Sequence, residues 1–285
     1  MNIQDIHTIG VAGCGLMGAG IVEICARAGF SVVVRELDDE LAQKGVERLR
    51  RSTQKAVDRG KLSADEQAAM LGRVEATTDL GKLAACQLVV EAVVENLELK
   101  KQVFAELDRL CPPETVLATN TSSLNITSIA AATGRGDKVL GLHFFNPVPV
   151  MPLLEIVRAL LTSDETVTLG RALGEKLGKT VVVAKDRPGF IANLLFVPYA
   201  LDAIRWYDAG LASREDIDTT MKLGFNHPMG PLTLCDFVGL DTLLFIADAM
   251  YDEFKDARYA APPLLRRLVA AGLLGRKSGR GFYEY

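Results

Sequence analysis

The chain has 285 residues, enough for one large or two ordinary domains, and is 49% hydrophobic and 24% charged, which excludes a disordered or fibrous class. Its formal net charge of −4 argues against a general nucleic-acid-binding surface.

In chain order, an apolar strand over 8–12 leads into Gly13-Cys14-Gly15-Leu16-Met17-Gly18. An amphipathic helix then runs to about Ala28, with Gly29 in a C-cap position. A second strand over 31–34 ends at Arg35-Glu36. A long charged helix over 38–58, a break at Gly60 and a shorter helix to about Leu71 read as a projecting helical hairpin. Strand-like runs follow at 73–77, 88–94, 116–118, 139–144, 153–157 and 180–183, most of them separated by helical segments. Near-continuous apolar strands alternating with helices predict a Rossmann-type, doubly wound α/β sheet of parallel strands. After Lys185-Asp186-Arg187-Pro188-Gly189 the pattern turns helical, with a possible strand only at the final Gly281-Phe282-Tyr283. Two domains are expected: 1–186, dinucleotide-type with the hairpin, and 187–285, all-helical.

No membrane span is expected: the uncharged run 115–134 is rich in Thr, Ser and Asn, and 139–154 is broken by Pro147, Pro149 and Pro152. The five cysteines are scattered without a Cys-x-x-Cys pair, which suggests neither a disulfide framework nor a zinc site, and no metal is expected. Met1-Asn2-Ile3-Gln4-Asp5 has no basic start or apolar signal core, so the cytoplasm, or an equivalent reducing compartment, is expected.

In the glycine loop, Gly13 permits the tight strand-to-helix turn, Gly15 lets backbone approach a pyrophosphate, and Gly18 allows close helix–strand packing. The helix N-terminus presents partial positive charge to phosphates. Glu36 closes the second strand, where a carboxylate accepts hydrogen bonds from an adenosine ribose and repels a 2′-phosphate, which favours NAD. Its neighbour Arg35 pulls the other way.

The chain has three histidines. His7 precedes the first strand and reads as a surface residue, and His227 lies in a turn, where a structural role is the simpler reading. His143 ends an apolar strand, Val139-Leu140-Gly141-Leu142-His143-Phe144, on the carboxyl edge of the sheet, where ligands of open α/β folds bind. It is either a hydrogen-bonded core residue or a base able to exchange a proton near neutral pH. Glu155 interrupts the aliphatic run Leu153-Leu154-Glu155-Ile156-Val157. If buried, it needs a partner, and His143 is a candidate; otherwise it is an exposed edge-strand residue. Ser122 and Ser123, in Asn120-Thr121-Ser122-Ser123, are either helix caps or hydroxyls at the same sheet edge. Pro188 suits the first turn of a helix, which would place Asn193 about one turn in. Together these features read as a nicotinamide-dependent alcohol oxidation site.

The chain resembles the L-3-hydroxyacyl-CoA dehydrogenase family, most closely its short bacterial 3-hydroxybutyryl-CoA branch. The resemblance rests on Gly-Cys-Gly-Leu-Met-Gly at 13–18, Glu-Ala-Val-Val-Glu-Asn at 91–96, Asn-Thr-Ser-Ser-Leu at 120–124 and His-Phe-Phe-Asn-Pro-Val at 143–148. Pro-Gly-Phe-Ile-Ala-Asn at 188–193, Asn-His-Pro-Met-Gly-Pro at 226–231 and Gly-Arg-Lys-Ser-Gly-Arg-Gly-Phe-Tyr at 275–283 extend it across the chain. It implies His143 as general acid/base, Glu155 as its orienting carboxylate, and Ser122 and Asn193 as polar groups holding substrate and cofactor. It places Gly13, Gly15, Leu16, Met17, Gly18, Glu36, Glu95, Lys100, Ser122, Asn146 and Lys277 at cofactor-contacting positions, and Lys55 at a coenzyme A contact. The implied activity interconverts (S)-3-hydroxyacyl-CoA and 3-oxoacyl-CoA with NAD, and the implied assembly is a homodimer through the helical domain. Arg35, Leu194 (where an arginine is common) and the loosely matching 49–55 depart from the family pattern.

Two other readings remain. Another hydroxyacid dehydrogenase of this architecture would use a catalytic lysine and would not need His-Phe-Phe-Asn-Pro. A non-catalytic dinucleotide-binding or crystallin-like relative would keep the glycine loop and lose the histidine, serine or asparagine.

Overall fold

A computed structural model describes residues 1–285 and divides them into two compact units, Met1–Asp186 and Arg187–Tyr285. The first unit contains β1 (Thr8–Ala12), α1 (Leu16–Arg27), β2 (Ser31–Arg35), α2 (Asp39–Asp58), α3 (Ala64–Leu71) and β3 (Val74–Thr77). It continues through β4 (Leu88–Glu91), α4 (Leu97–Leu110), β5 (Val116–Thr119), α5 (Ile126–Ala130), β6 (Val139–Phe144), β7 (Leu153–Arg158), α6 (Asp164–Lys176) and β8 (Thr180–Lys185).

These strands form one eight-stranded sheet in the order β3-β2-β1-β4-β5-β6-β7-β8. The chain leaves β1 toward one edge and returns to β4 on the other side, so the β1–β4 crevice is the topological switch point of a Rossmann-type fold. Ile9, Val11, Val32, Val34, Leu88 and Val90 pack with α1 and α6 in one core, and Val33, Val89 and Leu117, alternating with them, are equally buried. Burial on both faces explains why the inner strands read as unbroken apolar runs. Each fully buried Val, Leu or Ile contributes roughly 1.5–3 kcal/mol.

The sheet is not wholly parallel. β6 pairs β7 antiparallel, and β8 runs parallel to β7. The link from Phe144 to Leu153 is shorter than the dozen or so residues a parallel crossover needs, so the chain can only turn back. β4 also stops at Glu91 rather than reaching Val94, which is 69% exposed. The Glu91 carboxylate accepts the Val93 N–H at 2.7 Å and Ala92 N–H donates to Ala12 O at 2.8 Å, which folds the chain out of the strand. The α2–α3 hairpin packs on α1, with Gly45, Leu49 and Thr53 buried on its inner face.

The second unit is helical: α7 (Ala192–Asp208), α8 (Arg214–Gly224), α9 (Pro231–Val238), α10 (Leu240–Phe254) and α11 (Pro263–Ala270). Val197, Leu201, Ile204, Leu232, Leu243 and Met250 form its core. Its C-terminal segment is held by buried carboxylates rather than by a strand. Asp236 accepts the N–H groups of Phe282 and Tyr283, both at 2.9 Å, and Tyr283 OH donates to Asp218 at 3.1 Å. Only isolated bridges, Gly275–Arg280 and Arg280–Glu284, occur there. Helix α7 begins at Ala192, not at Pro188, so Asn193 is its second residue; Phe190, in the left-handed region at φ 50°, makes the intervening turn. No helix is long and apolar enough to cross a membrane.

Candidate active site

The nucleotide end of the first unit is made of backbone. Gly13 has φ 100°, and a Cβ there would meet Ala92 O at 2.7 Å. A Cβ on Gly18 would lie 1.9 Å from Gly13 O, so helix α1 can approach β1 only with glycine at that position. A Cβ on Gly15 would meet nothing within 4 Å. The loop is therefore packed behind Gly13 and Gly18 and open in front of Gly15. Gly15 is also the N-cap of α1 and makes no side-chain cap bond. An open backbone cradle at a twelve-residue helix fits a dinucleotide pyrophosphate.

Glu36 joins this loop from the end of β2, where one carboxylate oxygen accepts the Cys14 N–H and the other accepts the Leu37 N–H at 3.2 Å. Arg35 turns away from it and donates through Nε to Thr78 O at 3.4 Å. Successive residues of a strand face opposite ways, and the two charges do not share one position. Burial pushes the Cys14 thiol up to about 11, with the Glu36 charge adding to the shift, so it is a neutral packing group.

The candidate reacting end is made of side chains. The antiparallel register places His143 directly opposite Glu155, with the two side chains on one face. His143 Nδ1 lies 2.7 Å from a Glu155 carboxylate oxygen, and the residues are 6% and 1% exposed. Burial rules out the exposed-edge alternative for Glu155, which lies on an inner strand, and leaves it paired with a buried His143. A carboxylate at this distance fixes the ring so that Nδ1 carries the proton in the hydrogen bond. Phe145 packs on the imidazole, ring centroids 4.6 Å apart.

The loop after β5 is tied to this strand, since Phe144 N–H donates to Asn120 Oδ1 at 3.0 Å. Neither Ser122 nor Ser123 caps α5; Asn125 does, accepting the Ser128 N–H at 2.7 Å. Glu95 instead organises the serines, accepting the Thr121 hydroxyl, the Ser122 N–H at 3.1 Å and the Ser123 hydroxyl at 3.4 Å. Lys100 is 1% exposed, between Glu91 at 2.7 Å and Glu95 at 3.3 Å.

Three supporting residues escaped the sequence reading. Asp186 adds to the Asn125 cap of α5, accepting the N–H groups of Ile126 at 3.0 Å and Thr127 at 2.6 Å. Lys179 donates to Val148 O at 2.6 Å and Met151 O at 2.8 Å, holding the loop that leaves His143. Burial, aided by the nearby Arg27 charge, lowers its pKa. Asn120 is the third; its Asn-Thr-Ser-Ser setting was the one available signal.

Of the remaining sequence candidates, Asn146 is exposed after β6, Lys55 is exposed on α2, and Leu16 and Met17 open α1. Asn193 and Lys277 belong to the second unit, where Lys277 pairs with Asp241 at 2.5 Å.

A glycine cradle at the switch point of a Rossmann-type sheet, with a carboxylate-paired imidazole at the strand ends, defines a dinucleotide-dependent oxidoreductase. The chain belongs to the 3-hydroxyacyl-CoA dehydrogenase family. The model of that family's NAD binding domain matches residues 8–187 and that of its C-terminal domain matches 189–285. The chain is 51% identical over 282 residues to a Mycobacterium tuberculosis 3-hydroxybutyryl-CoA dehydrogenase, covering 98% of this chain and 99% of the relative. It is 45% identical to the mitochondrial hydroxyacyl-coenzyme A dehydrogenase of Homo sapiens, covering 98% and 91%. The crystal structure of (S)-3-hydroxybutyryl-CoA dehydrogenase from Ralstonia eutropha superposes with TM-score 0.93 at 44% identity, covering 98% and 99%.

Proposed function

We propose that the chain interconverts (S)-3-hydroxyacyl-CoA, with the four-carbon 3-hydroxybutyryl thioester as the favoured substrate, and 3-oxoacyl-CoA, with NAD rather than NADP. The observation that carries this reading is the His143–Glu155 pair, buried and 2.7 Å apart. With Nδ1 held by Glu155, His143 takes the 3-hydroxyl proton through Nε2 and returns it in the reductive direction. Glu155 keeps the ring oriented and stabilises the imidazolium that forms.

The bound nicotinamide supplies the hydride acceptor or donor. Gly13, Gly15, Leu16, Met17 and Gly18 cradle its pyrophosphate, and Glu36 holds the adenosine ribose. Ser122, by resemblance, is a polar group that holds substrate and cofactor. By resemblance, Asn146 and Lys277 add cofactor contacts, Asn193 a polar group to the substrate, and Lys55 a contact to coenzyme A. The same resemblance supports a homodimer through the helical unit and a reducing compartment such as the cytoplasm.

The test is turnover of acetoacetyl-CoA with NADH and with NADPH, followed by the fall in reduced-cofactor absorbance. Turnover with NADH at higher kcat/KM than with NADPH is expected. No turnover with either cofactor contradicts the activity, and a preference for NADPH means that Arg35 overrides Glu36.

A further inference from the structure

Beneath the Ser122 loop lies a charge cluster that the proposed chemistry does not use directly. Glu91 closes β4 beside the switch point and is fully buried. One of its oxygens accepts Lys100 Nζ and the Val93 N–H, both at 2.7 Å, and the other accepts the Thr119 hydroxyl at 2.7 Å. Lys100, in the first turn of α4, also reaches the Val93 carbonyl at 3.4 Å. Its second anion is Glu95, at 3.3 Å, whose side chain is 24% exposed.

We propose that Glu91 is a positioning residue for this reaction: by holding Lys100 it sets the direction of Glu95, and through Glu95 it sets the backbone amide and hydroxyl of Ser122. The inference rests on the dehydrogenase reading above.

Two carboxylates share one ammonium, and Glu95 is the member with solvent access. A buried strut would need only Glu91 and Lys100. The shared geometry does something further. Lys100 meets one Glu95 oxygen while the other takes Thr121, Ser122 and Ser123, so Glu91, at the shorter distance, fixes where the ammonium that aims Glu95 stands. In a low-dielectric site an ammonium that loses one of its two anions pulls strongly on the other. Without the Glu91 charge, Lys100 has Glu95 as its sole anion, and the carboxylate turns from the serine loop toward the ammonium. The Asn120 N–H donates to Glu91 O at 2.9 Å, so the same residue also fixes the start of that loop. A displacement there of even an ångström is costly to a reaction that depends on alignment. Lys100 therefore acts from beneath the cofactor position, through Glu95.

Glu91→Gln, Lys100→Met and the double variant are compared for kcat, KM for acetoacetyl-CoA, Kd for NADH by its fluorescence, and Tm. Glu91→Gln is expected to lower kcat roughly tenfold and to raise the NADH Kd, with a lowered Tm. The double variant leaves no charge in the fully buried Glu91–Lys100 pair, so Tm recovers, while kcat stays about tenfold down because nothing then aims the solvent-accessible Glu95. Recovery of both Tm and kcat in the double variant would mean that the pair is only a strut, and unchanged kcat in Glu91→Gln would sink the proposal outright. Thr119→Val, which removes the bond to Glu91 and the one accepted from the Thr121 N–H at 3.3 Å without unpairing a charge, covers the case in which the charge variants do not fold. A severalfold loss of kcat is expected from it, and wild-type kcat with wild-type NADH Kd contradicts the proposal. Wild-type protein run alongside separates the two failures: an inactive wild type refutes the dehydrogenase reading, whereas an active wild type with unaffected variants refutes only the role of Glu91.

Discussion

At the β1–β4 crevice the working surface is main chain: Gly13 and Gly18 are packed to the limit of backbone contact, and Gly15 stands open. At the β6–β7 pair it is two side chains, His143 and Glu155, buried and facing each other across an antiparallel register. On the proposed reading, the first region binds through shape and oriented N–H groups, whereas the second depends on a proton whose position is set by one carboxylate. A substitution at the second should therefore leave binding at the first intact. That separation can be broken or sharpened by substitution.

The largest effect is expected from His143→Ala. Loss of general base catalysis lowers kcat by roughly 10²–10⁴, while the NADH Kd measured by fluorescence stays near wild type. A variant keeping more than about a third of wild-type kcat would remove His143 from this role. Glu155→Gln keeps the shape and removes the charge, and kcat should fall at least about tenfold, which corresponds to roughly 1.4 kcal/mol of barrier. Full activity in Glu155→Gln would reduce Glu155 to a packing residue.

Glu36→Ala acts at the other region. Its kcat/KM ratio for NADH over NADPH should fall by about tenfold, the equivalent of one lost carboxylate discrimination of roughly 1.4 kcal/mol. An unchanged ratio would mean that the ribose is read elsewhere.

The smallest effect concerns Glu23, buried behind the nucleotide end on α1, where it accepts the Ser52 hydroxyl of α2 at 2.6 Å. Burial raises its pKa against the lowering effects of Ser52 and Arg27. A carboxyl whose folded pKa lies above its unfolded value binds more protons when folded, so its contribution to stability falls as pH rises from the ordinary carboxylate range through the raised value. Glu23→Gln should therefore raise Tm at neutral pH, with the gain shrinking as pH falls and the wild type takes up its proton, and kcat unchanged. A gain independent of pH would contradict the assignment.

The two regions also differed in how far the sequence revealed them. The glycine loop was readable because backbone geometry demands glycine at fixed spacing, and Glu36 followed from the strand end. The direction of β7 was not, since an apolar strand reads alike in either direction; only the short link after Phe144 carried that information. Antiparallel pairing is what turned a twelve-residue separation between His143 and Glu155 into direct contact. The resemblance placed Lys100 among the cofactor contacts, and only the fold shows it buried between two carboxylates. Two serines ahead of a helix read equally as caps or as hydroxyls at the sheet edge, and only the structure gives the cap to Asn125. The start of α7 was misplaced because the turn before it rests on Phe190 at positive φ, a conformation that no proline rule anticipates.

The central claim is that His143 and Glu155 act as one unit, separate from the nucleotide cradle. A double-mutant cycle tests it most directly: kcat for wild type, His143→Ala, Glu155→Gln and the double variant with acetoacetyl-CoA and NADH, each with its NADH Kd. The account predicts that the double variant is no slower than His143→Ala alone, since a carboxylate without its imidazole has nothing to orient, with NADH affinity held throughout. Losses that multiply, or an NADH affinity that falls together with kcat, would contradict it.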